Sequence, residues 1–350
     1  MRDLLNKNLA EWDLNGDHRL SPEEVDGFVS DPNVKSVDAA LLATLKWAFH
    51  KFPEMAKPGI DSSNLFCGKK SHGMDVLGRF QSYQEGLKRS VALFEGGRPD
   101  PLSIKQGMRG SCTLLAGLTV MADRDPQRIV DSVREEGDGF RVALATGDQL
   151  ISKPTDTERL TGTWANGVWV TVYEKAFAQQ NPKNLPDTGD VYDNLNRGLS
   201  PAEVIYDLSG QESVDILSLG ALPKKRMGVV KNLIENALPY PTLMTVVHEE
   251  LVRAKDEGRM VIAASSRDPR GGDDLKGSHA FAVTDYDQDS LEVTLRNPWG
   301  KNDLKCSGCL QDDQDDGVFK ATIDGFLANF HSISVAADEF DAFQGKPLKT

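Results

Sequence analysis

The chain has 350 residues, about two domains' worth, with 39% hydrophobic and 27% charged residues, which excludes an intrinsically disordered protein and allows a sizeable core. With 40 Lys and Arg against 53 Asp and Glu, the net charge is −13, a poor balance for gripping phosphate backbones, so nucleic acid is not an expected partner. No run of about 18 apolar residues occurs, so no transmembrane segment is expected.

Residues 1–52 read as helical. The opening stretch lacks the apolar core of a signal peptide, although a chain trimmed of its leader would read the same. Ser36 or Asp38 can cap a helix that carries Leu41, Leu42, Leu45, Ala48, Phe49 and Phe52 at helical spacing, and Pro53 and Pro58 stop it. Residues 53–75, rich in Gly, Ser, Lys and Pro and without a period, read as a linker. Leu77, Phe80, Tyr83, Leu87, Val91 and Phe94 then form one apolar helical stripe, and residues 95–101 mark a domain boundary. Further helices are expected at 112–122, 169–179, 200–207 and 226–237. Strands dominate from 259 onward, and 317–335 reads strand, short helix, strand. Helices first and strands later predict an α+β domain, not alternating βαβ units. No internal repeat is evident.

Within the first helical region, residues 13–24 have the spacing of a calcium loop. Calcium takes six to eight hard oxygens, and a 12-residue EF-hand loop offers them from positions 1, 3, 5, 7, 9 and 12. These are Asp13, Asn15, Asp17, the Arg19 carbonyl, Ser21 and Glu24, with apolar Leu20 at position 8. Position 6, usually glycine, is His18, a residue type enriched among the non-glycines that accept positive φ. The bland alternative is a polar loop between two helices. Asp285, Asp287 and Asp289 imitate the spacing, but Arg296 falls at position 12, so a hairpin turn is expected there.

Cys112 heads a predicted helix after a Gly-rich turn, where peptide dipoles favour a thiolate. On that stretch alone, a small buried cysteine is an equal reading. His279 begins one predicted strand and Asn297 ends the next, so a hairpin across the acidic turn sets them side by side. A cysteine nucleophile needs an imidazole to take its proton and an amide oxygen to hold the ring's other nitrogen. Trp299 can shield that bond, and Gln106 can offer an N–H to an oxyanion beside the Cys112 backbone N–H.

At these residues the sequence resembles the calpain family of papain-like cysteine proteases. The matching stretches are Gln106-Gly107-x-x-Gly110-x-Cys112-x-Leu114-Leu115-Ala116, the run from Trp169 to Ala178, His279-Ala280-Phe281, Arg296-Asn297-Pro298-Trp299-Gly300, and Asp316-Gly317-Val318-Phe319 leading into Phe326-Leu327. They follow the family's order over about 96–337. The resemblance implies a two-lobed core with endopeptidase activity, often calcium-dependent. It implies Cys112 as nucleophile, His279 as acid/base, Asn297 as orienter and Gln106 in the oxyanion hole. Carried over by position, Glu174, Asp303 and Asp316 match calcium ligands of the family's core, but Ser103 and Val318 stand where acids are expected. Thr113 replaces the family's usual tryptophan after the cysteine.

The expected architecture is therefore an α+β papain-like cysteine protease core. A helical EF-hand region (1–52) and a linker with connecting helix (53–95) precede it. The core divides into a Cys lobe (96–212) and a His/Asn lobe (213–337), and a tail (338–350) follows. The expected cofactor is Ca2+, and the expected partners are protein or peptide substrates, with self-cleavage in the 53–75 linker. The alternatives are an inactive calpain-like binding module that responds to calcium and, against Asn297, a transglutaminase-like acyl transferase. Cys306 and Cys309 form a C-x-x-C that reads as two free thiols, against a local disulfide or zinc shared with Cys67 and His72. Free thiols suit a cytoplasm.

Overall fold

A computed structural model describes residues 1–67, 70–182, 190–218, 240–265, 279–302, 306–310 and 312–337. The helix expected at 226–237, Asp303 and the tail at 338–350 lie outside these residues. The described chain is a mixed α+β protein with a three-stranded and a seven-stranded antiparallel sheet.

Five helices open the chain: α1 (Arg2–Trp12), α2 (Pro22–Gly27), α3 (Ser36–Lys51), α4 (Asn64–Cys67) and α5 (Lys70–Gly86). A capping box starts α2. The Ser21 hydroxyl accepts from the Glu24 N–H, the Glu24 carboxylate accepts from the Ser21 N–H, and Pro22 fills the first position, where no N–H is needed. Helix α3 is apolar nearly all round and is enclosed, with Ala39 through Leu45 all buried.

The stretch expected as a linker belongs to this helical unit. Leu20 and Ile60 exchange both backbone hydrogen bonds at 2.8 Å, and Ile60 and Leu65 are buried in one core with Leu5, Trp12, Leu20 and Val25. The unit is thus two helix–loop–helix motifs back to back, at an offset of 60 − 20 = 40 residues, where the sequence reading saw no repeat. The same offset sets Asp61 against Ser21, Asn64 against Glu24 and Leu65 against Val25. The second loop has an apolar residue at the bridging position but Pro53, Lys57 and Asn64 where the first has Asp13, Asp17 and Glu24, so no acidic spacing marks the repeat in the sequence. It also puts the middle of the expected self-cleavage segment inside a core.

The helix expected through Phe94 ends at Gly86. Beyond it the Ala92 and Leu93 carbonyls accept the Val168 and Trp169 N–H groups, which start the later helix α9 and have no intrahelical partner. That demand outweighs the apolar periodicity and leaves Val91 exposed.

The next region holds α6 (Cys112–Arg124), α7 (Pro126–Ser132), β1 (Val133–Glu136), β2 (Gly139–Val142), β3 (Gln149–Ser152), α8 (Asp156–Thr161), α9 (Trp169–Gln180) and α10 (Pro201–Ser209). Strands β1, β2 and β3 make the small sheet. Helices α6 and α9 run through the core, buried from Thr113 to Ala122 and from Trp169 to Ala178.

The last region holds β4 (Ser213–Ser218), α11 (Tyr240–Asp256), β5 (Val261–Ser265), β6 (Ala280–Asp287), β7 (Glu292–Arg296), β8 (Cys309–Leu310), β9 (Val318–Thr322), α12 (Ile323–Asn329) and β10 (Phe330–Ala336). The strands order as β4-β10-β5-β6-β7-β9-β8. Period-2 alternation divides β6 between two cores: Ala280 and Ala282 face α6, while Phe281 and Val283 join the core with α11 and α12. The small alanines let α6 lie close to the sheet.

The acidic turn between β6 and β7 is a hairpin in which Asp287 Oδ1 accepts from the Asp289 and Ser290 N–H groups. Cys306 and Cys309, expected as free thiols, form a disulfide. Gly308 at φ 74° reverses the chain between them and brings their Cα atoms to 5.2 Å, within the range of a bridge.

Candidate functional site

Cys112 is the first residue of α6, partly exposed and reduced. The preceding turn is held by one carboxylate. Glu174, fully buried on α9, accepts from Arg109 Nη1 (2.7 Å), the Ser111 hydroxyl (2.7 Å), the Thr163 hydroxyl (2.7 Å) and the Thr163 N–H (3.2 Å). Arg109 also donates to the Glu158 carbonyl and sits over the Tyr192 ring, its Cζ 3.3 Å from the centroid. Because the Ser111 hydroxyl is committed to Glu174, no side chain caps α6. The first-turn N–H groups, Cys112's among them, therefore keep their capacity to bind an anion. Gly107 is obligatory: a Cβ there would come within 2.2 Å of the Gly162 carbonyl oxygen.

His279 immediately precedes β6 and is buried. Its Nε2 lies 2.9 Å from Asn297 Oδ1, which also accepts the Trp299 backbone N–H at 3.1 Å. A backbone N–H can only donate, so the atom facing it is the amide oxygen, and Nε2 must carry the ring proton. In the neutral ring the basic lone pair then resides on Nδ1. Trp299 lies over the imidazole with centroids 4.4 Å apart, and Phe281 meets it edge-on at 4.8 Å. Asn297 is fully buried and donates its Nδ2 to the Lys301 carbonyl. The hairpin thus brings together His279, Asn297 and Trp299.

The two halves meet at Gln106. Its N–H donates to the Pro298 carbonyl at 2.9 Å, while the neighbouring Lys105 pairs with Trp164 within the Cys112 half. Arg296, one residue before Asn297, crosses to the Leu102 and Ile104 carbonyls at 2.9 and 2.7 Å. Burial pulls its guanidinium down to about 10. The Gln106 side chain donates Nε2 to the Arg109 carbonyl at 2.7 Å, so one of its two amide hydrogens is engaged inside the turn.

In the acidic loop, Asp13 gathers the Gly16, Asp17 and His18 N–H groups on its carboxylate, Asn15 Oδ1 accepts from Asp17, and Asp17 accepts from Arg19. His18 takes φ 64°, the left-handed turn usually given to glycine. The oxygens of Asp13, Asn15, Asp17, the Arg19 carbonyl and Glu24 are a hard donor set that fits calcium. Glu24 is already satisfied: Oε1 accepts from Leu14 and Asn15, and Oε2 from the Ser21 N–H and hydroxyl. Bidentate capture of a cation would exchange part of that set. Among the described residues, no three acidic, His or Cys side chains converge as a ready metal cluster.

The other expected calcium ligands are placed differently. Glu174 accepts from Arg109 and Ser111 of the turn before Cys112 and from Thr163. Asp316 accepts from the Val318 N–H and faces Arg296. Asp303 lies outside the described residues.

Sequence reasoning missed the polar layer between the helical unit and the Cys112 region. Lys46 of α3 pairs with Asp26 of α2 and with Asp190 at 3.1 Å. Burial pushes the Asp26 carboxyl up to about 6 despite the lysine. Ser30 donates to buried Glu158, which also accepts from Lys175. Met108, from the turn before Cys112, packs into the helical unit's core. A cavity of about 270 Å³ lies in this layer, lined by Asp26, Lys46, His50, Met108, Arg109 and Asn196 among others. The one sequence signal was an odd lysine on an otherwise buried helix.

No described helix is long and apolar enough to cross a membrane. A scan of protein-family models finds none that matches the chain, and a search of curated proteins finds no match either.

Proposed function

We propose that the chain is a cysteine endopeptidase with a calpain-like, two-lobed papain-type core, regulated by calcium at the loop of residues 13–24. One observation carries the reading: His279 donates Nε2–H to an asparagine whose orientation Trp299 fixes, in a chain whose cysteine heads a buried helix packed on the same strand. Nδ1 of His279 takes the Cys112 proton, and the thiolate attacks the peptide carbonyl carbon. The oxyanion takes the Cys112 N–H and a Gln106 Nε2–H. Imidazolium returns its proton to the leaving amine as the C–N bond breaks, leaving a thioester. His279 then deprotonates water, which attacks the thioester. The acid leaves, and the proton returns to sulfur. Asp13, Asn15, Asp17, the Arg19 carbonyl and Glu24 would hold the calcium, whose charge would draw the loop together.

The test is hydrolysis of an unfolded protein substrate across a calcium series in reducing buffer, with Cys112→Ala alongside. Calcium-stimulated cleavage that disappears in the variant is the expected result. Cleavage that persists in Cys112→Ala overturns the assignment. A second reading, an inactive binding module, draws on the Gln106–Arg109 bond, which turns one oxyanion donor away. Absence of cleavage under every condition, with calcium bound, would favour it.

A further inference from the structure

A continuous set of polar contacts joins the exit helix of the acidic loop to the residues before Cys112. Asp26 lies on α2, whose first turn carries Glu24. It pairs with Lys46, which also contacts Asp190 at 3.1 Å and Asp193 at 3.9 Å. From there two branches run to one turn. Asp193 Oδ1 accepts from Asn196 Nδ2 at 2.9 Å, and Asn196 Oδ1 accepts the Gly110 N–H at 3.0 Å. Asp190 accepts the Tyr192 N–H at 3.0 Å, and the Tyr192 ring supports Arg109. Arg109 and Gly110 precede Cys112 by three and two residues.

We propose that Lys46 and Asn196 are positioning residues that couple the state of the acidic loop to the placement of Cys112, an inference that rests on the calcium and cysteine assignments above. When Glu24 exchanges its capping donors for a cation, α2 shifts and Asp26 moves with it. Lys46 redistributes among three carboxylates, and Asn196 carries the change to the Gly110 N–H. A cavity of about 270 Å³ adjoins this set and is lined by Asp26, Lys46, Asp190, Asp193 and Asn196. Elements with two discrete arrangements, biased from both ends, are the physical form of such coupling. The coupling is reciprocal, so a ligand fixed on Cys112 must alter calcium affinity by the same factor that calcium alters ligand affinity.

The experiment reads Cys112 directly and needs no turnover. Full-length protein is alkylated with iodoacetamide with and without calcium, the Cys112 peptide is quantified by mass spectrometry, and calcium binding is measured by titration calorimetry. The parent should change its alkylation rate by about 5-fold or more with calcium, the low end of typical allosteric coupling. Lys46→Met and Asn196→Ala should still bind calcium but show less than about half of that response on a logarithmic scale. Lys46→Arg should retain it. If Lys46→Met fails to fold, Asn196→Ala at the far end decides. A parent that does not respond, or variants that respond as the parent does, overturn the proposal. A responsive Cys112 without peptide hydrolysis upholds the coupling and removes the protease reading.

Discussion

On the Cys112 side of the candidate site, position is held by charge: one buried carboxylate, Glu174, gathers Arg109, Ser111 and Thr163, and Asp26, Lys46 and Asp190 stand behind them. On the His279 side, position is held by a neutral amide and two aromatic rings. Buried charge fixes geometry tightly, but it is brittle, because removing one member strands the other in low dielectric. A neutral amide costs less to bury and less to lose. The Cys112 side is thus the one wired to the helical unit, while the His279–Asn297 pair is set within one hairpin and tied to the other half only at its flanks, through Arg296 and Pro298.

The largest break should come from Glu174→Gln. It strands Arg109, which is nearly fully buried, and should cost about 3–5 kcal/mol, read as a lowered thermal midpoint. The double variant Arg109→Met/Glu174→Leu should be less damaged than Glu174→Gln alone. Equal damage would mean that shape, not charge, holds the turn.

Asp26 sharpens the same comparison through pH. Its folded value of about 6 lies above the ordinary 3.8, so the fold prefers the protonated form. Its stabilising contribution is complete below about pH 4 and is lost as pH rises through about 6. With calcium chelated, Asp26→Asn should therefore be more stable than the parent at pH 7, by about 2–3 kcal/mol at most, and similar near pH 4. A variant less stable at pH 7 would show that the Lys46 pairing outweighs desolvation.

On the neutral side, Asn297→Ala removes the acceptor of two N–H groups and should cost about 1–3 kcal/mol of stability. It should also lower turnover by freeing the His279 ring. Asn297→Asp should also lose stability, because its carboxylate would face the Lys301 carbonyl to which Nδ2 now donates, and it should move the acidic limb of the rate profile upward, since a carboxylate favours imidazolium. The smallest effect is expected from Trp299→Leu, about 0.5–1.5 kcal/mol for the lost ring contact. A larger loss in Trp299→Leu than in Asn297→Ala would reverse the ranking of ring and amide.

The His279–Asn297 corner was legible because strand alternation and one short turn fix it locally. The acidic loop was legible as a turn between two helices for the same reason: its oxygen-bearing side chains recur at set spacing within 12 residues and hold one another's backbone N–H groups. The second helix–loop–helix was hidden because its loop carries Pro53, Met55 and Lys57 where the first carries Asp13, Asn15 and Asp17. Ile60 and Leu65, opposite Leu20 and Val25, are its apolar trace. Glu174 was matched to a calcium ligand by resemblance alone, and its hydrogen-bond donors stayed hidden because a carboxylate on a helix does not announce which donors will surround it.

The sequence by itself determined the α+β order of elements, the hairpin with His279 and Asn297 at its base, and the loop's oxygen-rich donor set. Each depends on residues near one another along the chain, where periodicity and turn chemistry act. The tertiary structure alone decided that the helical unit is docked on the turn before Cys112, that Glu174 serves that turn, and that Lys46 joins α2 to residues 190–196. Those contacts join residues far apart in the chain, where burial makes each charge seek the partner that packing supplies.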